Sequence, residues 1–263
     1  MNIKSSLRYS ILLSVLSLLI TNNISAQNKY DFNQFWNESL TFAQQPIHWQ
    51  GDDWLKLGIG SAAILAVTQI DQQMKNAAMK DQSYIQSFPV KAGKFYGEIY
   101  PTIIVAGGFG LYGYLADNLA SKKIAFETVQ TVLYAGAITT FLKIIVGRAR
   151  PFTDKGIATF RPFLPFNDDF HSFPSGHATL AFCLSTVLAN NVDPEWLKIL
   201  IYVPAIVTCG SRVYQNVHWT SDVLAGAAIG YFVGSWVSNQ HKKKDSPVQI
   251  SSIFPLDIRI NLD

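Results

Sequence analysis

The chain has 263 residues, 49% of them hydrophobic and only 15% charged, with a formal charge of +3. An ordinary soluble domain is about a quarter charged, so this composition excludes a disordered chain, a coiled coil and a basic nucleic-acid-binding tail. The mean hydropathy of +0.16 fits either a membrane protein with polar flanks or an unusually apolar soluble one.

The N-terminus reads as a targeting segment. Lys4 and Arg8 precede an apolar stretch from Ile11 to Ile20, followed by Thr21 to Ala26. This is the layout of a secretory signal cleaved after Ala26, although Ile24 is a poor match to the small residue expected there, which leaves an uncleaved anchor open. Loss of residues 1–26 removes two positive charges and leaves +1. Export would favour hydrolysis over ATP-driven chemistry.

Residues 27–54 form an amphipathic segment. Phe32, Phe35, Trp36, Leu40 and Phe42 recur at helical spacing between Asp31 and Gln45, as in a helix lying on a surface or a membrane. Six apolar runs follow: Leu55 to Ile70, Thr102 to Ala116, Ile124 to Val146, Ala178 to Asn190, Trp196 to Gly210 and Val223 to Val237. Lys75 to Lys94 reads as a loop or a wet helix, and Pro151 to Pro174 as irregular. Cys183 and Cys209 lie in apolar runs and read as core residues. A basic cluster, Lys242 to Lys244, opens the tail 241–263. The predicted fold is all-α, a bundle of about six core helices over residues 55–240 with no second domain. A membrane span needs about 20 apolar residues. Several runs are shorter, but low charge, abundant Gly and Ala, and flanking Trp54, Tyr100, Trp196 and Trp236 favour a membrane-embedded bundle.

Three polar constellations end the apolar runs: Lys143 with Arg150 and Pro151; Pro174-Ser175-Gly176-His177; and Ser211-Arg212 with His218 and Asp222. Lys143, Arg150 and Arg212 brought to one rim would repel, so an anion is the natural counter-charge, and the arginine fork matches phosphate oxygens. The backbone amides of Ser175 and Gly176 would open a helix and form an anion site. Asp222, four residues after His218, can accept one imidazole proton and leave the other nitrogen free to attack phosphorus. His177 can protonate the leaving oxygen and then activate water. No carboxylate-rich cluster suggests a metal, and no cofactor is called for.

Taken singly, each group has a plain reading. Lys143 is a helix-end lysine, Arg150 and Arg212 surface charges, His218 and Asp222 a capping pair, and Ser175-Gly176 a helix start. Their joint occurrence argues otherwise. The pattern K-x6-RP, PSGH and SR-x5-H-x3-D resembles the signature of the type 2 phosphatidic acid phosphatase superfamily at all eleven positions. The resemblance implies that His218 is the nucleophile, Asp222 its orienting group and His177 the acid/base, with Lys143, Arg150, Ser175, Gly176 and Arg212 holding the phosphoryl oxygens. It implies a phosphorylated lipid substrate, with a soluble periplasmic acid phosphatase as the alternative and a vanadium haloperoxidase as a third. A non-enzymatic phosphate-binding transporter or scaffold would be the case without turnover. Neither a nucleic acid nor a protein partner is implied. His171 reads as a loop histidine, and Phe170, Phe173, Tyr214 and Trp219 as rim packing. Arg148 and Arg161 either steer an anion or stand in solvent.

Orientation is in conflict with itself. Lys242 to Lys244 place the C-terminus in the cytoplasm and the site outside. Spans counted from an exported N-terminus through 55–70, 102–116 and 124–146 place Lys143 in the cytoplasm. The expectation adopted is an inner-membrane protein of a bacterial-type cell envelope with its site facing the periplasm.

Overall fold

The computed structural model describes residues 28–245. The expected signal segment and most of the tail lie outside them. Tyr30–Asn239 make one compact unit, and beyond it the Asn28 side chain donates to the His241 carbonyl at 3.0 Å. The helices, in chain order, are α1 (Phe32–His48), α2 (Gly51–Thr68), α3 (Asp71–Lys80), α4 (Phe88–Tyr96), α5 (Ile99–Leu115), α6 (Leu119–Val146), α7 (Gly176–Asn190), α8 (Glu195–Ile201), α9 (Val203–Tyr214) and α10 (Thr220–Asp245). No strand occurs among the described residues. One isolated bridge pairs Arg148 with Phe160.

All six apolar runs are helical, the fifth broken at Tyr202 before Pro204. Lys75 to Lys94, read as a loop or a wet helix, instead holds α3, α4 and the turn between them. The helix ends follow local chemistry. Asp31 Oδ1 accepts from the Gln34 amide at the start of α1, and Asn118 Oδ1 from the Ser121 amide at the start of α6. Gly147 ends α6 at φ +58°, and the Arg161 carbonyl lies 2.0 Å from where a Cβ would stand, so only glycine fits. The segment from Pro151 to Pro174 is irregular apart from two short 3₁₀ turns, as its composition predicts.

The packing is polar inside and apolar outside. Thr128, Gln130, Thr131, Thr186 and Ser185 are fully buried, whereas Leu133, Phe141, Ile103, Ile199 and Ile206 face outward. α7 and α10 approach closely along Gly226, Gly230 and Gly234. A Cβ on these would stand 2.3 Å from the Ser175 carbonyl, 2.5 Å from the Thr179 carbonyl and 2.9 Å from the Thr186 side chain. Glycines spaced four apart let two backbones touch, and this contact seats Asp222 beside Ser175. α1 packs onto α6: Phe42 stacks on Tyr134 at 4.3 Å, and Ser39 Oγ lies 2.8 Å from Tyr134 Oη. The rest of the same apolar face leaves Phe32, Trp36 and Ile47 exposed, opposite Gln34, Asn37, Thr41 and Gln45, so the helix is amphipathic as predicted. Among the described residues two stretches are long and apolar enough to cross a membrane, α6 and Glu195–Tyr214 across α8 and α9.

Candidate active site

Helix ends and links gather the predicted residues. Lys143 is in the last turn of α6, Arg150 three residues after its Gly147 cap, and Arg212 in the last turn of α9. Ser175, Gly176 and His177 open α7, Asp222 lies in the first turn of α10, and His218 occupies the link before it. His177 is within electrostatic reach of Arg150, Arg212 and His218, and His218 of Lys143, Arg150 and Asp222. The Lys143 side chain passes 3.9 Å from where a Gly176 Cβ would stand.

The cations are held mainly by neutral groups. Lys143 Nζ donates to the His171 carbonyl at 2.6 Å. Arg212 donates to Gln215 Oε1 at 2.5 Å and Ser211 Oγ at 3.3 Å. Arg150 alone has a carboxylate, the solvent-exposed Asp168 at 2.6 Å, and it also donates to the Val217 carbonyl at 3.3 Å. Among the described residues neither Lys143 nor Arg212 has a carboxylate within ion-pair distance. Such a cluster is only partly neutralised, and a bound phosphate would supply the remaining counter-charge.

The anion site at the start of α7 differs by one residue from the expectation. The Ser175 amide donates to the Asp222 carbonyl at 3.0 Å, and Ser175 Oγ caps the helix by accepting from the Ala178 amide at 3.4 Å. The amides of Gly176 and His177 have no acceptor among the described residues. These two, at the positive end of a 15-residue helix, are the donors open to an anion.

His218 departs further from its predicted partner. Its Nδ1 lies 2.8 Å from the Ser172 carbonyl, and 3.8 Å from Asp222 Oδ2. The contact with a carbonyl makes Nδ1 the donor and leaves the lone pair on Nε2. Because α10 begins at Thr220, the four-residue spacing does not form a helical turn. Asp222 Oδ2 instead accepts from Ser172 Oγ at 2.5 Å and from the Trp219 amide at 2.8 Å. Ser172 thus bridges carboxylate and imidazole, a role that no spacing in the sequence announced. Burial pushes the His218 imidazole down to about 4. The charges of Lys143 and Arg150 act in the same direction, and Asp222 opposes them.

Arg148 corrects a reading that left it as an anion guide or a solvated charge. It is buried and paired with Asp222 Oδ1 at 2.7 Å and Asp71 Oδ2 at 2.8 Å. Arg161 is exposed, its guanidinium 5.0 Å from the centre of the buried Phe170 ring. Trp219 is buried, its Nε1 donating to the Ala149 carbonyl at 2.9 Å, and Tyr214 Oη donates to the Asp81 carbonyl at 2.6 Å. His171 Nε2 bonds the Leu164 carbonyl at 2.8 Å.

Known proteins share this arrangement of sequence. The profile described as "PAP2 superfamily" matches residues 125–246. A "Lipid phosphate phosphatase gamma" of Arabidopsis thaliana is 31% identical over 184 residues, 65% of this chain and 76% of that one. A "Lipid A 1-phosphatase" of Porphyromonas gingivalis is 37% identical over 133 residues, 49% of this chain, and the chain spans only 27% of its length. The crystal structure of a transmembrane PAP2 type phosphatidylglycerolphosphate phosphatase from Bacillus subtilis shares the fold. Its TM-score is 0.51 at 22% identity, covering 72% of this chain and 94% of that one.

Proposed function

This chain belongs to the PAP2 superfamily, and from that premise we propose that it hydrolyses a lipid phosphomonoester or diphosphate through a phosphohistidine on His218. The observation that carries this reading is the set of under-neutralised cations around two imidazoles, beside the two open amides of α7. Lys143, Arg150 and Arg212 grip the phosphoryl oxygens and offset the charge of the transition state. His218 Nε2 attacks phosphorus, the P–O bond to the leaving group breaks, and His177 gives a proton to the departing oxygen. Burial and Arg212 push the His177 imidazole down to about 3, and the negative charge of the bound phosphate raises it so that it can carry that proton. Water then attacks phosphorus, His177 takes its proton, the P–N bond breaks and inorganic phosphate leaves.

The substrate is a lipid of the kind named for the relatives, such as lipid A phosphate or phosphatidylglycerophosphate, with phosphatidic acid and undecaprenyl diphosphate as further candidates. The apolar outer surface supports a bilayer setting, since a helix with an outward apolar face and a polar interior suits lipid rather than water. Phe163 and Phe166 support it too. They are 71% and 99% exposed, and the Phe163 amide donates to the Ile144 carbonyl at 2.7 Å, so their loop is fixed to the end of α6. That is the level at which aromatic residues meet lipid headgroups. The site is taken to face the periplasmic side, a reading supported by the basic cluster Lys242 to Lys244 after the last apolar run.

The test is phosphate release by the full chain from these lipids and from a short-chain soluble phosphate, beside His218→Ala. We expect preference for the long-chain lipids and a loss of at least about 10³-fold in the variant. Equal turnover of the soluble compound, with release of the protein by alkaline wash, would favour a soluble acid phosphatase. An active His218→Ala would end the phosphohistidine reading.

A further inference from the structure

A buried ionic cluster supports the site from behind, on a helix outside residues 125–246. Asp71 opens α3, and its side chain is wholly buried. Its Oδ2 accepts from Arg148 Nη2 at 2.8 Å and from Ser221 Oγ at 2.6 Å, and its Oδ1 from the Ser221 amide at 2.9 Å. Arg148 Nη1 in turn donates to Ser221 Oγ and to Asp222 Oδ1, each at 2.7 Å. One turn along α3, Lys75 Nζ donates to the Pro151 carbonyl at 2.7 Å and to Asp154 at 2.5 Å. Residues four apart share a helix face. That face therefore fixes both the start of α10 and the chain just after Arg150.

We infer that Asp71 is a positioning residue of this reaction: by holding Arg148 and Ser221, it sets how much of the Asp222 charge reaches His218. The inference rests on the phosphohistidine reading above. When His218 takes the phosphoryl group its ring becomes cationic, and the nearby Asp222 carboxylate stabilises that charge. A guanidinium shared between two carboxylates leaves part of the Asp222 charge uncompensated. Without Asp71 the whole Arg148 charge falls on Asp222 and the field at His218 weakens. The groups facing His218 are Lys143 of α6, Arg150 of the crossover segment, His177 of α7 and Asp222 of α10, with Arg212 of α9 and Lys94 of α4 beyond His177. Asp71 contacts none of the cations that grip phosphate, so substrate binding is left intact.

The experiment compares full-length wild type with Asp71→Asn, a variant of the same shape. Expected are a fall in kcat of about 10- to 100-fold, the usual effect of removing an outer partner of a reacting group, and a KM within about twofold. The acid limb of kcat/KM moves to lower pH, since protonated His218 loses its stabilising field. Asp71→Glu, which keeps the charge, returns that limb to the wild-type position even if its packing lowers kcat. An Asp71→Asn enzyme with wild-type kcat, or with reduced kcat and an unmoved acid limb, overturns the inference. Should Asp71→Asn fail to fold, Ser221→Ala breaks one link of the same cluster. It is expected to lower kcat about 5-fold at constant KM, the worth of one hydrogen bond, and an unchanged kcat there overturns the inference equally. If wild type cleaves no lipid phosphate, the functional reading has failed by itself, and orthovanadate and sulfate binding then test the positioning. Asp71→Asn should bind vanadate, which can take an imidazole nitrogen as a fifth ligand, about 10-fold more weakly, yet bind sulfate as wild type does. Equal vanadate binding counts against the inference.

Discussion

The floor and the rim of the site treat positive charge in opposite ways. On the floor Arg148 is buried and answered by two carboxylates, Asp71 and Asp222, with Ser221 joining them. On the rim Lys143 and Arg212 are held by a backbone carbonyl and by neutral side chains, and Arg150 by a carboxylate that stands in solvent. The same residue type is thus a structural tie in one place and, in the proposed function, a phosphate ligand in another. What separates them is whether a buried carboxylate has already cancelled the charge, because a cancelled cation has little attraction left for phosphate.

The sharpest way to break this comparison is Arg148→Met. It leaves Asp71 and Asp222 buried without their cation, and should cost about 3–5 kcal/mol of stability, seen as a lower melting temperature and a lower folded yield. Arg212→Lys should do the reverse. It keeps the charge but loses the fork, so phosphate turnover should fall about 10- to 100-fold, or about 1.4–2.7 kcal/mol, while the melting temperature stays within about 2 °C. If the two variants lost stability equally, the division into floor and rim would be wrong. The smallest effect concerns pH. Attack needs neutral His218, and its value near 4 keeps the Nε2 lone pair available above that pH. The acid limb of kcat/KM should accordingly fall near pH 4 rather than near 6.5, the ordinary value. A limb at 6.5 would mean that burial and the rim cations do not act on His218 as described.

Much of the fold was legible because apolar runs bounded by Gly, Pro and polar caps are local signals. The six runs became helices, and the Pro-rich crossover stayed irregular. The amphipathic face of α1 was legible but its seat was not, since periodicity shows that residues share a side but not that Phe42 would find Tyr134 on α6. In the site, the types and spacing of Lys143, Arg150, His177, Arg212, His218 and Asp222 were plain. The partners were not. Ser172 is an ordinary loop serine in sequence, and Asp71 merely follows an apolar run. The RP pattern marked Arg150, but nothing marked Arg148 two residues before it as buried under two carboxylates, while Arg150 faces a solvent-exposed one.

The sequence by itself determined the helical class, the family signature and the chemistry those residue types can perform, because covalent order, local propensity and side-chain identity are written along the chain. Tertiary structure alone decided which carboxylate answers which cation, which amides stay open at the start of α7, and that Ser172 rather than Asp222 receives the His218 proton. These are matters of a few ångströms between residues up to 150 positions apart. Electrostatic and hydrogen-bond energies depend on that distance and on burial, and neither is fixed before the helices pack.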